Sequence, residues 1–307
     1  MPADYNYNEY TDYKKATGRK IIHYAGIKKW QHYPLVDWYK NLPNIEHNIE
    51  DNYDLDIIIP SYNDIEGLER TLKSIYYPVM SWIHIYVIDD ASDVDYAPIL
   101  TKYPNIHLYK LTKNGGPGHA RKYGIQVSNS GYIMFVDCGD IILSKWCFLA
   151  IREELLNYRV LDIYEWSWIN GDTSKVSDVC EPSTPGKIYK RLFLQANDIY
   201  PYDEGPGSYA AEDCGFNNSC YAIIKDYEYA EETPHIKHYS LPIYRSIPNQ
   251  DSLTHKNKNE LWYTVIPGVV LNCIYCMDVC ERLQINKEVC LDKVNLFLSD
   301  LYKYFLM

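Results

Sequence analysis

The sequence predicts an α/β fold, a mostly parallel sheet flanked by helices in the Rossmann-like manner, on two observations. From Asp54 onward short apolar runs alternate with helical segments, and strands alternating with helices imply βαβ units. The runs also end in polar residues, Ser61-Tyr62, Asp89-Asp90 and Asp137-Cys138-Gly139-Asp140. Right-handed crossovers bring such ends to one edge of the sheet, where open α/β folds bind ligands.

The elements follow in order. Leu55 to Pro60 is a strand, Ile65 to Tyr76 a helix, Ile83 to Asp89 and Ile106 to Leu111 two further strands, His119 to Val127 a helix, and Tyr132 to Asp137 a strand. Tyr132, Ile133, Met134, Phe135 and Val136 are aromatic, β-branched or apolar, as in a strand buried on both faces. Asn170 to Gly186 and Asp198 to Ser208, rich in Asp, Ser, Thr, Pro and Gly, read as loops that can act as lids or acceptor walls. Leu261 to Leu283 and Val289 to Phe305 read as two helices, the first kinked or broken at Pro267-Gly268. The expected organisation is an N-terminal segment 1–50, a sheet domain 51–258 and a helical extension 259–307. The apolar residues of that extension can cover the sheet domain, join two copies of the chain or lie on a membrane surface.

At 307 residues and 47% hydrophobic composition the chain can bury a large core. Its net charge of -11 disfavours a broad electrostatic grip on nucleic acid or anionic lipid. The N-terminus, Met1 to Asn6, has no basic region leading into an apolar stretch, and no run of about 18 apolar residues occurs. A cytoplasmic setting is expected, free or peripheral to a membrane. Nine Cys, an odd number, favour reduced thiols over a disulfide framework. Cys273, Cys276 and Cys280 share a helical stripe with Val269, Val270 and Met277, which reads as a buried face before it reads as a metal site. The 32 tyrosines are the compositional oddity; rings that span core and surface with wet hydroxyls account for them, and stacking on sugars or bases is the functional alternative.

Asp137 and Asp140, where a buried strand ends, are hard oxygen ligands suited to Mg²⁺ or Mn²⁺, and Mg²⁺ is commonly held by one or two carboxylates together with substrate phosphates. The ordinary alternative is two Asp in a solvated turn. The order Asp54-Leu55-Asp56-Ile57-Ile58-Ile59-Pro60-Ser61-Tyr62-Asn63-Asp64, Val87-Ile88-Asp89-Asp90-Ala91-Ser92, Gly118-His119-Ala120-Arg121 and the Asp137 to Asp140 loop resembles glycosyltransferase family 2, with its GT-A fold, over roughly residues 54 to 257. It continues at Ala211-Glu212-Asp213-Cys214-Gly215-Phe216, similar to the family's Glu-Asp acceptor motif, and at Pro242-Ile243-Tyr244-Arg245 and Ser252-Leu253-Thr254-His255.

The resemblance implies roles. Pro60, Tyr62 and Asp64, with Asp89 and Asp90, would bind base and ribose of a nucleotide sugar, most often a uridine one. A carboxylate accepting the uracil N–H is a charge-assisted hydrogen bond. Gly118 and Arg121 would line the donor pocket, a helix N-terminus and a surface Arg being the plain alternatives. Asp137 would serve donor and metal, Asp140 and His255 the metal. Gly139 departs from the family, standing where a middle carboxylate is usual. Asp213 would be the general base that takes the acceptor hydroxyl's proton, although an acidic pair also suits a helix N-terminus.

Separately, Lys20-Ile21-Ile22-His23-Tyr24-Ala25-Gly26-Ile27-Lys28-Lys29-Trp30 resembles the closing motif of glycosyltransferase family 8, whose metal-ligating His would map onto His23. That implies the tail of a preceding transferase unit in a longer multi-transferase chain. The expectation is a metal-dependent inverting hexosyl- or N-acetylhexosaminyltransferase using a UDP-sugar and Mn²⁺ or Mg²⁺ on a glycan or glycoprotein hydroxyl. Its rivals are an inactive nucleotide-sugar or glycan-binding module and a transferase acting on modified DNA bases. A homo-oligomer is left open.

Overall fold

The computed structural model describes residues 52–286 apart from 79, 158–160, 172, 178–181, 232–233 and 249–257, and beyond 286 only residues 288, 289, 291 and 295. The family 8-like motif around His23, the metal candidate His255 and most of the second C-terminal helix lie outside the described residues.

Strand β1 (Leu55–Ser61) is buried along its whole length, because it lies between two parallel neighbours, β2 (Ile83–Asp89) and β4 (Tyr132–Phe135). Strand β3 (Ile106–Lys110) adds to β2, again in parallel. Helix α1 (Ile65–Ile75) buries Leu68, Thr71, Leu72 and Ile75, a 3.6-residue stripe; each such Leu or Ile is worth about 1.5–3 kcal/mol. The Asp64 side chain caps it by accepting from Gly67 N at 2.7 Å. After the short α2 (Ala97–Leu100), helix α3 (Gly116–Val127) lies close to β1, where Gly124 leaves no room for a side chain against Ile58.

The second half of the sheet departs from the parallel pattern. Strands β5 (Ile141–Ile142), β6 (Ile163–Ile169), β7 (Lys187–Lys190) and β8 (Ile236–Arg245) complete the order β3-β2-β1-β4-β7-β6-β8-β5. Strand β7 runs antiparallel to both β4 and β6, and β5 antiparallel to β8, while β6 and β8 are parallel. Helices α4 (Lys145–Asn157), α5 (Arg191–Ala196) and α6 (Glu212–Glu231) fill the connections. The halves are braced by Arg191, which donates to Asp56 on β1 at 2.8 Å, to Ser128 Oγ at 2.7 Å and to the carbonyls of Ile125 and Ser130.

Helix α7 (Lys258–Arg282) runs unbroken through Pro267, so the expected interruption there is not a break. Its Cys276, Val279 and Cys280 join the apolar cluster of Ile58, Phe135 and Phe216. Cys273, Cys276, Cys280 and Val269 are buried as one stripe, whereas Val270 and Met277 are exposed on the other side. Among the described residues no helix is long and apolar enough to cross a membrane.

Many tyrosine hydroxyls tie elements together: Tyr189 to Asn217, Tyr227 to Asn197, Tyr239 to Glu154 and Tyr76 to the Pro104 carbonyl. Each ring packs while its hydroxyl reaches a partner.

Candidate active site

The C-terminal ends of β1, β2 and β4 form one edge. At the end of β1, Tyr62 is 50% exposed, and Asn63 adopts φ 51°, turning the chain into the Asp64 cap. Pro60 is a buried residue of β1, paired in register with Ile88. Tyr96 supports this corner: its Oη accepts from Ser61 Oγ at 2.9 Å and Asp64 N at 3.1 Å.

At the end of β2, Asp89 accepts from Ser92 N at 2.7 Å, with Lys110 Nζ 3.6 Å away. Asp90 accepts from Gly115 N at 2.9 Å and Gly116 N at 2.7 Å, one bond to each oxygen. Burial raises its pKa against the lowering effect of those amides. Both carboxylates therefore hold their own turns, and Asp90 pins the glycine-rich start of α3. Gly118 is packed against the Tyr202 carbonyl and Glu212 rather than facing open space.

Arg121 is the centre of the edge. Buried to 4% exposure, it donates to Glu212 Oε1 and to Asp137 Oδ1, the latter at 2.6 Å. Burial works against its charge, but Asp137 and Glu212 outweigh that and raise its pKa. It thereby joins the loop after β4 to the first turn of α6.

That loop is held from beneath by Thr71, whose Oγ1 donates to the Asp140 carbonyl at 2.7 Å and accepts from Gly139 N at 2.9 Å. Gly139 takes φ 104°, where a side chain is strained. Asp140 points away from Arg121: Tyr244 Oη donates to its Oδ2 at 2.5 Å and Ile247 N to its Oδ1 at 2.8 Å. Burial, then the nearby Asp137 charge, pushes its pKa up to about 7. Thr71 and Tyr244 were not singled out from the sequence as supports. A polar residue on the buried stripe of α1 was the available signal for Thr71.

In the first turn of α6, Glu212 is buried and its pKa is pushed up to about 7 by burial, against the pull of Arg121 and with a push from Asp213. Asp213 is half-buried and its Oδ1 accepts from Cys214 N at 2.8 Å. Its pKa is raised, first by burial. Among the described residues its Oδ2 has no recorded hydrogen-bond partner, so one carboxylate oxygen is available to a hydroxyl.

The cation implied by the family resemblance would meet a sparse donor set. Asp140 has both oxygens engaged, Asp137 keeps Oδ2 available and is 40% exposed. Among the described residues no group of three or more His, Cys, Asp or Glu is placed to share a metal ion. These residues fit a cation carried mainly by substrate phosphates and touched by Asp137, the Mg²⁺ pattern, and do not fit a protein cage.

Residues 56–176 match the model of Glycosyl transferase family 2. The minor teichoic acid biosynthesis protein GgaB of Bacillus subtilis is 32% identical over 113 residues, 35% of this chain and 12% of that protein. The poly(ribitol-phosphate) beta-glucosyltransferase of Bacillus spizizenii is 27% identical over 203 residues, 57% of this chain and 31% of that protein. A crystal structure of S. aureus TarS 1-349 in complex with UDP-GlcNAc aligns with TM-score 0.63 at 19% identity, over 80% of this chain and 71% of that one. This chain spans at most 31% of the length of the two curated relatives described. The likeness to that solved structure shows the fold, GT-A, and the matched segment shows the family to which that part of the chain is similar. Its segment 56–176 is a glycosyltransferase family 2 segment.

Proposed function

We propose that this chain moves a hexose or N-acetylhexosamine from a UDP-sugar to a hydroxyl of a glycan-type acceptor, with inversion. The polyol-phosphate polymers named for its relatives are the favoured acceptor class. The observation that carries the reading is the Asp137–Arg121–Glu212 bridge, which ties the loop after β4 to the helical turn that bears Asp213.

Tyr62 offers an exposed ring for the uracil at the end of β1. Asp213 accepts the acceptor hydroxyl's proton as its oxygen bonds to the anomeric carbon and the bond from that carbon to the diphosphate oxygen breaks. Arg121 keeps Asp137 and Glu212 in place during this step. A Mn²⁺ or Mg²⁺ ion, held by the diphosphate and Asp137, would supply charge stabilisation to the departing UDP. His255 remains a further candidate ligand.

Calorimetry with UDP, GDP and CDP, each with Mn²⁺ and with chelator, tests the donor half. Metal-dependent preference for UDP is expected, and no nucleotide binding under any condition would overturn the reading. Gly139 and the engaged Asp140 favour one second reading, a module that binds nucleotide sugar without turnover. Tight UDP binding with no sugar transfer would select it.

A further inference from the structure

Helix α7 lies beyond the segment that matches the family model, yet it meets the turn that carries Asp213. Asn272 is fully buried on the face of α7 that looks into the molecule. The two N–H groups of its Nδ2 face three carbonyls, one of them shared: Gly207 at 3.0 Å, Ala210 at 3.2 Å and, in its own helix, Gly268 at 2.9 Å. Gly207 belongs to a 3-10 turn (Gly205–Ser208), and Ala210 stands two residues before Glu212. The same side chain lies against Gly215, in the first turns of α6, where any Cβ would collide with it.

One turn earlier on α7, Gly268 allows equally close approach. A methyl group there would stand 2.6 Å from the Ala210 carbonyl oxygen and 2.9 Å from that of Pro206. One turn later, Tyr275 Oη accepts from Tyr200 N at 3.0 Å. The loop so gripped also touches the start of α3: Tyr209 Oη donates to Asn114 Oδ1 at 2.9 Å, and Ser208 O packs on Gly116.

We infer that α7 is a built-in wall of the acceptor side of this active site and that Asn272 is a positioning residue for Asp213. The inference rests on the proposed role of Asp213 as base. Only a side-chain amide both donates to the carbonyls that precede Glu212 and fits against Gly215. An aspartate, an acceptor alone, would face carbonyl oxygens unpaired. Loss of the amide frees the 205–211 loop to drift, and displacements near 1 Å are enough to cost about 100-fold in turnover.

The test compares wild type, Asn272→Ala, Gly268→Ala and, as an outward-facing control on the same helix, Met277→Ala. Two quantities are read: UDP affinity and stoichiometry by calorimetry, and turnover of UDP-N-acetylglucosamine with poly(ribitol phosphate) as acceptor. Asn272→Ala is expected to bind UDP with unchanged stoichiometry and affinity within about twofold while kcat falls about 10- to 100-fold; Met277→Ala is expected to match wild type. Gly268→Ala pushes the same loop from the same face and should show the same split, which decides the matter if Asn272→Ala does not fold. Normal kcat in both folded variants, or parallel loss of UDP stoichiometry and kcat, would overturn the inference. Absence of transfer by the wild-type protein would instead overturn the functional reading beneath it.

Discussion

Glu212 and Asp213 are neighbours in one helical turn, and their surroundings set them different tasks. Glu212 neutralises Arg121, while Asp213 keeps an oxygen for substrate. Asp213→Asn should reduce transfer by about 100- to 10,000-fold, the range of a lost general base, with UDP binding retained; steady-state kinetics beside calorimetry would check it. Because burial raises Asp213 and pushes Glu212 up to about 7, the base is ionised only as pH climbs. Transfer should therefore rise with pH along an acid limb that belongs to the pair and lies above the ordinary carboxylate range. Asp140 titrates in the same window with a consequence for stability. Its folded pKa of about 7 exceeds the ordinary value, so the folded state holds the proton more tightly, and this stabilisation is lost as pH rises through about 7. Asp140→Asn should flatten the fall of Tm between about pH 4 and pH 7, since an asparagine amide can still accept from Ile247 N while its NH₂ meets Tyr244. The strand-end carboxylates were legible as a set at one edge. What each oxygen is spent on was not, because Asp89 and Asp90 bond amides contributed by turns whose geometry no residue pattern displays.

At the scale of elements, the sequence of the loop from Asp137 to Asp140 reads as a metal loop with one carboxylate missing. A Cβ at Gly139 would point toward Arg70 Nη1 at 3.7 Å and Asp64 Oδ2 at 3.9 Å on α1. Gly139→Asp has room but not the backbone conformation, so it should cost about 1–3 kcal/mol and pair with Arg70 rather than strengthen Mn²⁺ binding; urea denaturation and Mn²⁺ titration would show both. The parallel elements were legible because each obeys one rule: β1, Asp56 apart, is an apolar run buried on both faces and α1 carries a stripe. The antiparallel strands were not read from periodicity, and Glu165, Lys187 and His238 show why. Glu165 lies on β6 with Lys187 Nζ at 3.0 Å and His238 Nδ1 at 2.6 Å, so charges that read as surface are paired inside the sheet. Of the two outcomes Pro267 allows, a kink or a break, the helix excludes the break, since it continues through that residue.

For the whole molecule, Arg191 is the clearest joint between the parallel and mixed halves. Arg191→Met would leave the fully buried Asp56 with only Ser130 N and Oγ as hydrogen-bond donors among the described residues. A loss of about 3–5 kcal/mol in equilibrium unfolding is expected, the usual result of stranding one member of a buried pair. Around the ligand edge the buried Arg121 bridge is joined by fastenings of another kind. Tyr96, Tyr244, Tyr209 and Tyr275 each hold a loop through a neutral phenol, and burial raises the pKa of all four, which keeps the proton in place. Dissolved ions screen exposed charges over about 10 Å at 0.1 M and have little leverage on a neutral hydroxyl bond. An edge fastened by phenols and by a buried arginine bridge keeps its shape in brine and in dilute buffer alike, so changes in ionic strength should reach the anionic donor's affinity while leaving the alignment of Asp213 alone.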